Sequence, residues 1–178
     1  MLGKILVRVW RGKTLAGRIV DVESYVGEDD LACHAAKGRT PRNEVMYGPA
    51  GHAYVYFIYG MYHLMNIVTD ELGFPAAVLL RGLEPLSGLD LMQRWRDTEK
   101  IRDLANGPGK LTRALSIDQT LKHEDLTTSH RFYLLDDGQR VTRQEIATGP
   151  RIGIDYAGHC VHYPWRYYLK DSPFVSKK

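Results

Sequence analysis

A glutamate two residues from a tyrosine carries the first chemical signal in this chain. Glu23 and Tyr25 lie in Gly17–Val26, a run whose alternation reads as a strand, with Asp21, Glu23 and Tyr25 on one face and Val20, Val22 and Val26 on the other. A carboxylate beside a tyrosine on a face turned from the core has the makings of a general base next to an aromatic wall. The competing expectation is a solvated edge face, where a glutamate ordinarily lies. Tyrosines then crowd together: Tyr47, Tyr54, Tyr56, Tyr59 and Tyr62 are five of the eleven in the chain, within sixteen residues. On a strand through residues 53–58, Tyr54, Tyr56 and Ile58 point one way and Val55, Phe57 and Tyr59 the other. Tyr59 falls at a hairpin tip, where an exposed ring suits a wedge or anchor, unless the tip packs on a neighbouring loop. Farther on, Gly107-Pro108-Gly109-Lys110 precedes a helix and could hold a phosphate through backbone amides and the lysine charge; a turn with a solvated lysine fits equally. Leu104 and Leu111 break the Walker A pattern there. Tyrosines interleaved with Lys and Arg are what base stacking and phosphate neutralisation require.

Other chemistries lack their residues. In His159-Cys160-Val161-His162 an extended chain puts the histidines on opposite faces, and no HExxH or paired CxxC exists, so neither a metal nor another cofactor is expected. GxSxG and GxGxxG are absent, against α/β-hydrolase and dinucleotide-binding readings. Cys33 and Cys160 are too few for a disulfide framework, which points to a reducing cytoplasm. Lys and Arg (24) exceed Asp and Glu (21) slightly, which permits a polyanionic partner without demanding one. Neither a signal peptide nor a membrane span is expected: charges punctuate Met1–Gly17, and the longest apolar run, Ala53–Tyr59, is far short of about 18 residues.

The elements that must position these groups are short. With 178 residues, the chain is sized for one domain, residues 1–178, able to bury its own core. Frequent Gly, Pro, Asn and Asp breaks predict a β-rich mixed α/β domain. Ile5–Trp10 and Gly17–Val26 read as a hairpin around Arg11-Gly12-Lys13, and 53–58 and 62–68 as another around Tyr59-Gly60-Met61, where Gly60 supplies a positive φ. Residues 27–51 read as a loop, and Ala76–Arg81 as a buried strand. A helix is expected from Pro85, with Leu86, Leu89 and Met92 as its apolar stripe, and a second after Gly107-Pro108-Gly109. Phe132–Leu135, Arg151–Tyr156 and Tyr167–Leu169 read as strands and loops.

Together these stretches resemble the 3-methyladenine (alkyladenine) DNA glycosylase family. The matching pieces are Gly17–Tyr25, Asp30-x-Ala32-Cys33-His34, Arg39-Thr40-Pro41-Arg42-Asn43, Tyr54–Tyr62 with Met65-Asn66-Ile67, Leu79–Pro85, Gly107-Pro108-x-Lys110-Leu111 and Ser172-Pro173-x-Val175-Ser176, in the family's order over nearly the whole chain. Two departures stand out: the chain begins about one helix later than most members, and Ser24 replaces the usual alanine. The resemblance implies a single mixed α/β (α+β) domain with a curved antiparallel sheet, a protruding β-hairpin and a few short helices. It also implies a repair enzyme, without cofactor, that flips alkylated or deaminated purines out of double-stranded DNA and hydrolyses the N-glycosidic bond.

By the family pattern Glu23 activates the attacking water. Tyr25 stacks on one side of the flipped base, with His34 and Tyr56 on the other. Asn66 crowds the exocyclic amine of normal guanine, and Arg81 is a pocket arginine. Tyr59 fills the gap in the duplex, flanked by Met61 and Tyr62 in the minor groove, while Thr40 and Lys110 touch the DNA backbone. The expected protein is a monofunctional, monomeric enzyme of the cytoplasm or nucleoid (the nucleus in a eukaryote). Competing readings are a non-catalytic nucleic-acid-binding module using the same aromatic and basic surface, an RNA-directed module, and a small-molecule hydrolase with an aromatic pocket.

Overall fold

The structure, a computed structural model, describes residues 1–176. Its strands are β1 (Ile5–Trp10), β2 (Lys13–Val26), β3 (Ala53–Ile58), β4 (Tyr62–Val68), β5 (Ala76–Ser87), β6 (Phe132–Leu135), β7 (Ile146–Gly149) and β8 (Arg166–Leu169). Helices α1 (Leu89–Arg96) and α2 (Pro108–Ala114) follow β5, and short 3-10 turns punctuate the connections. All paired strands are antiparallel, in the order β3-β4-β5-β2-β1-β6, with β8 also on β2 and β7 on β8.

β2 organises the sheet because its two halves have different neighbours. Residues 13–18 pair with β1, whereas Asp21, Val22 and Glu23 pair with Tyr168, Tyr167 and Arg166 of β8. Register shifts against β5 at Ile19/Asp21 and Asp21/Val22 mark the handover, and such bulges bend and twist a strand. The sheet therefore curls at the residues that carry the carboxylates. One face holds the main core: Leu6, Ile19, Val22, Val55, Met65, Ile67 and Leu80 pack beneath Met92, Leu111 and Leu115, which α1, α2 and the residue after α2 bring down. A second cluster of Tyr54, Val68 and Ala77 lies under Val45, Met46 and Tyr47 of the 27–51 segment.

Several expected boundaries move. β2 begins at Lys13, not Gly17, since Arg11 and Gly12 both take positive φ and close the turn in two residues. Residues 27–51 contain two 3-10 turns, His34–Lys37 and Glu44–Tyr47. The helix expected from Pro85 starts at Leu89: β5 runs through Pro85 to Ser87, and Leu86 is exposed. Pro85 faces Gly17 beside a register shift, the kind of position at which a strand tolerates proline. β7 was not expected, Arg151–Tyr156 forms turns rather than a strand, and β8 starts one residue before Tyr167. His159 and His162 sit in a 3-10 turn, Gly158–His162, not in an extended segment. No helix among the described residues is long and apolar enough to cross a membrane.

Candidate active site

The curl of β2 buries what an edge strand would leave in water. Asp21 and Glu23 have 1% and 0% of their surface exposed, which overturns the solvated-face reading. Buried carboxylates need donors, and these come from distant parts of the chain. Glu23 Oε1 accepts from the Ile152 amide (2.7 Å) and forms an ion pair with Arg81 Nη1 (3.1 Å); Oε2 accepts from the Tyr25 hydroxyl (2.9 Å). Asp21 takes a two-pronged contact from Arg166 (3.0 and 2.8 Å) and lies 3.8 Å from Arg81. Asp30 is gripped in the same bidentate way by Arg151 (2.5 and 2.7 Å). Three carboxylates thus face three guanidiniums, a set in which each charge is paired, although Arg81 Nε and Arg151 Nε have no hydrogen-bond partner among the described residues.

Over this floor opens a cavity of about 620 Å³, within the usual range of about 300–1,000 Å³ for small-molecule pockets. Its wall includes Tyr25, His34, Tyr56, Asn66 and Arg81, five residues singled out from sequence, and its rim includes Tyr59, Tyr62 and Lys110. Glu23 lies beneath, bonded to three lining residues: Tyr25, Arg81 and Ile152. Oε2 accepts from Tyr25 alone among the described residues, so it keeps capacity for one more donor.

The aromatic walls are held rigidly. The Arg151 guanidinium lies 4.7 Å from the centre of the Tyr25 ring, so the cation that neutralises Asp30 also braces this tyrosine. Opposite, the His34 ring meets Tyr56 edge-on at 4.6 Å, and His34 Nδ1 lies 2.7 Å from the Tyr54 hydroxyl. Burial, with a smaller push from Arg42, lowers the His34 pKa to about 4 and keeps the ring neutral. Burial, reinforced by the Glu23 charge for Tyr25 and by Tyr54 for Tyr56, raises both phenols well above their ordinary value, so they remain neutral rings. Asn43 pins the loop carrying His34: its amide donates to the His34 and Gly38 carbonyls, and its oxygen accepts from the Thr40 amide (2.6 Å). On β4, Asn66 is buried and its Nδ2 donates to the carbonyl of Tyr54, its cross-strand partner (3.3 Å).

The hairpin tip is open. Tyr59 is 77% exposed and Met61 66%, so the tip does not pack on a loop. Tyr59 as well as Gly60 takes a positive φ (54° and 68°), and the Met61 amide donates to the Ile58 carbonyl (3.3 Å). That reversal puts Tyr59 on the cavity rim with Ile58 and Tyr62, not with Phe57 on the opposite face as simple alternation predicts. Thr40 and Met61 are exposed and outside the cavity wall. Lys110 Nζ donates to Asn106 Oδ1 (2.8 Å) at the rim. Sequence reasoning missed Arg151, Ile152, Asn106 and Tyr156; of these only the Arg151 charge gives a local signal, and its partner lies 121 residues away.

The sequence matches the family described as methylpurine-DNA glycosylase over residues 1–173. Among curated proteins, one from Methanocella arvoryzae is 50% identical over 179 residues, covering 100% of this chain and 88% of that protein. One from Bacillus cereus is 48% identical over 189 residues (100% and 91%), and one from Bacillus cytotoxicus 47% over 188 (99% and 91%). All three carry the name "Putative 3-methyladenine DNA glycosylase".

Proposed function

The chain belongs to the methylpurine-DNA glycosylase family, and we propose that its damaged purine rotates out of the duplex into the cavity above Glu23, where a water cleaves it from the sugar. The chain is a DNA-repair N-glycosylase by membership. The observation that carries the proposed residue roles is a fully buried glutamate beneath two braced tyrosines, beside a hairpin with an exposed aromatic tip. A stacked base is out of reach of any carboxylate, so extrusion is required at a cost of a few kcal/mol. Tyr59 is suited to occupy the vacated space, with Met61 and Tyr62 beside it in the minor groove.

In the cavity, Tyr25 on one side and His34 with Tyr56 on the other sandwich the base; stacking contributes about 1–3 kcal/mol per base. Both phenols stay protonated, which preserves neutral faces for a cationic alkylpurine. Glu23 Oε2 takes a proton from water as the water oxygen bonds to C1′ and the bond to the purine nitrogen breaks, its electrons leaving with the base. The contacts of Arg81 and Ile152 with Oε1 hold the carboxylate in place. Asn66, on the cavity wall, is suited to meet the 2-amino group of guanine, and Thr40, exposed, and Lys110, at the rim, are suited to touch phosphates. Lys110 is the one lysine on the cavity wall among the described residues, and its bond to Asn106 supports a monofunctional hydrolase rather than an imine-forming lyase.

The test is base release from duplex oligonucleotides carrying 7-methylguanine, hypoxanthine or etheno-adenine, read as alkali-revealed strand breaks. Release from at least one of them is expected; tight lesion binding with no release from any would favour the non-catalytic binding module.

A further inference from the structure

A second hollow, of about 640 Å³, lies on the other side of the hairpin from the cavity. The two share Tyr62, Gly109 and Arg113, so the return strand of the hairpin and the start of α2 form the ridge between them. The ridge is tight: a Cβ on Gly109 would come within 3.1 Å of the Tyr62 ring, and Thr112 Oγ1 donates to the His63 carbonyl (2.7 Å). The cavity occupies the face of the hairpin bearing Tyr56 and Leu64; the hollow starts past His63, on the reverse face.

Its walls are aromatic and cationic. Trp10, the last residue of β1, and Trp95 of α1 meet edge to face at 4.9 Å, and the Arg11 guanidinium lies 4.8 Å from the Trp10 ring centre. Arg94 and Arg113 are exposed and, among the described residues, have no carboxylate partner, unlike Arg18, Arg39 and Arg131. Among the described residues the one carboxylate on the wall, Asp118, is engaged at home: its Oδ1 accepts from the amide and hydroxyl of Thr120. Unpaired guanidiniums beside half-buried indoles suit a polyanion with apolar sugars. Apart from Arg113, which also lines the cavity, none of these groups lies on the cavity wall.

We propose that this hollow is a second DNA-binding surface, which holds the strand complementary to the one whose nucleotide enters the cavity. The inference rests on the hairpin acting as a wedge. A tip driven between the strands leaves one strand over each face of the ridge, so the strand opposite the lesion meets Arg94 and Arg113, with Trp10 and Trp95 against its sugars.

The experiment measures equilibrium binding of the full chain to a duplex containing a reduced abasic site, which cannot be hydrolysed. Phosphates are neutralised as methylphosphonates on one strand at a time. Neutralising three opposite the site on the complementary strand should weaken binding about fivefold or more, because charge-assisted contacts are lost. Arg94→Glu, an exposed change outside the cavity, should weaken binding to the unmodified duplex similarly and show less than about a twofold further loss with the neutral complementary strand, the coupling expected of groups in contact. Arg143→Glu, on the exposed turn before β7, should retain the full strand effect. Sensitivity confined to the lesion strand, or equal sensitivity in the Arg94 variant and the parent, overturns the proposal. Base release by the parent chain is measured separately, so failure of the glycosidic reading is not confused with failure of this one.

Discussion

Replacing Glu23 by glutamine isolates its charge from its shape. The glutamine carbonyl can keep the Ile152 and Arg81 donors of Oε1, and its NH2 meets the Tyr25 hydroxyl, which can turn to accept instead of donate. All three partners therefore remain bonded, and the variant should fold. The buried set falls from three carboxylates to two against three guanidiniums. Arg81 is not abandoned, because Asp21 stays 3.8 Å away, so the loss should lie below the about 3–5 kcal/mol seen when a buried ion is stripped of its partner. Activity should suffer far more. A glutamine cannot take the proton from water, and loss of a positioned base costs about 10²–10⁴-fold. Single-turnover base release from a hypoxanthine duplex, run beside thermal unfolding and lesion binding, gives all three quantities. A folded variant that binds the lesion and keeps more than about a tenth of the parent rate would refute the assignment of Glu23 as the base.

Four further outcomes follow from the same geometry. Tyr59→Ala should weaken binding or flipping of every lesion alike, by about the 1–3 kcal/mol of one stacking contact, and a changed substrate ranking would contradict a wedge role. Asn66→Ala should keep duplex affinity but release normal guanine faster relative to hypoxanthine, measured on matched oligonucleotides; unchanged discrimination would remove Asn66 from specificity. Borohydride added during turnover should trap no protein–DNA adduct, and an adduct abolished by Lys110→Arg would identify an imine-forming lysine instead. Finally, His34 is neutral in the folded chain down to about pH 4 but titrates at its ordinary 6.5 when unfolded, so the unfolded chain binds more protons in that interval. Stability is therefore full above pH 6.5 and declines as the pH falls toward 4; His34→Gln should flatten this limb in denaturation midpoints taken across the interval.

What could be read in advance is what local pattern controls. The hairpin of β3 and β4 was fixed at both ends, because Gly60 and the alternation around it leave one register. The shared face of Glu23 and Tyr25 was right for the same reason: two residues apart on a strand is a local fact. Its burial was not local. It depends on β8 and the Ile152 turn arriving over the bulged half of β2, from 129 residues away in the case of Ile152. Pro85 misled because its preference for a first helical turn was outweighed by the pairing of β5 with β2. Tyr59 misled differently: alternation assumes extended backbone, and a positive φ at a tyrosine turned its ring to the cavity side.

Two of the buried ion pairs join residues that leave the ribosome far apart in time. Asp30 waits for Arg151 and Asp21 for Arg166, partners 121 and 145 residues downstream, and the amide that steadies Glu23 comes from the same late region. On a ribosome that adds about 5–20 residues each second, β1 to β5 emerge well before those arginines. Until then Arg81 is the one guanidinium of the set available to three acidic side chains, and closing loops this long is slow compared with forming the local hairpins. The nascent chain thus carries its tyrosine-rich tip before it has a finished floor. A fragment ending ahead of Arg151 lacks the partners of Asp21 and Asp30 and the amide on Glu23, so it should show the hairpins' aromatic surface but no base release.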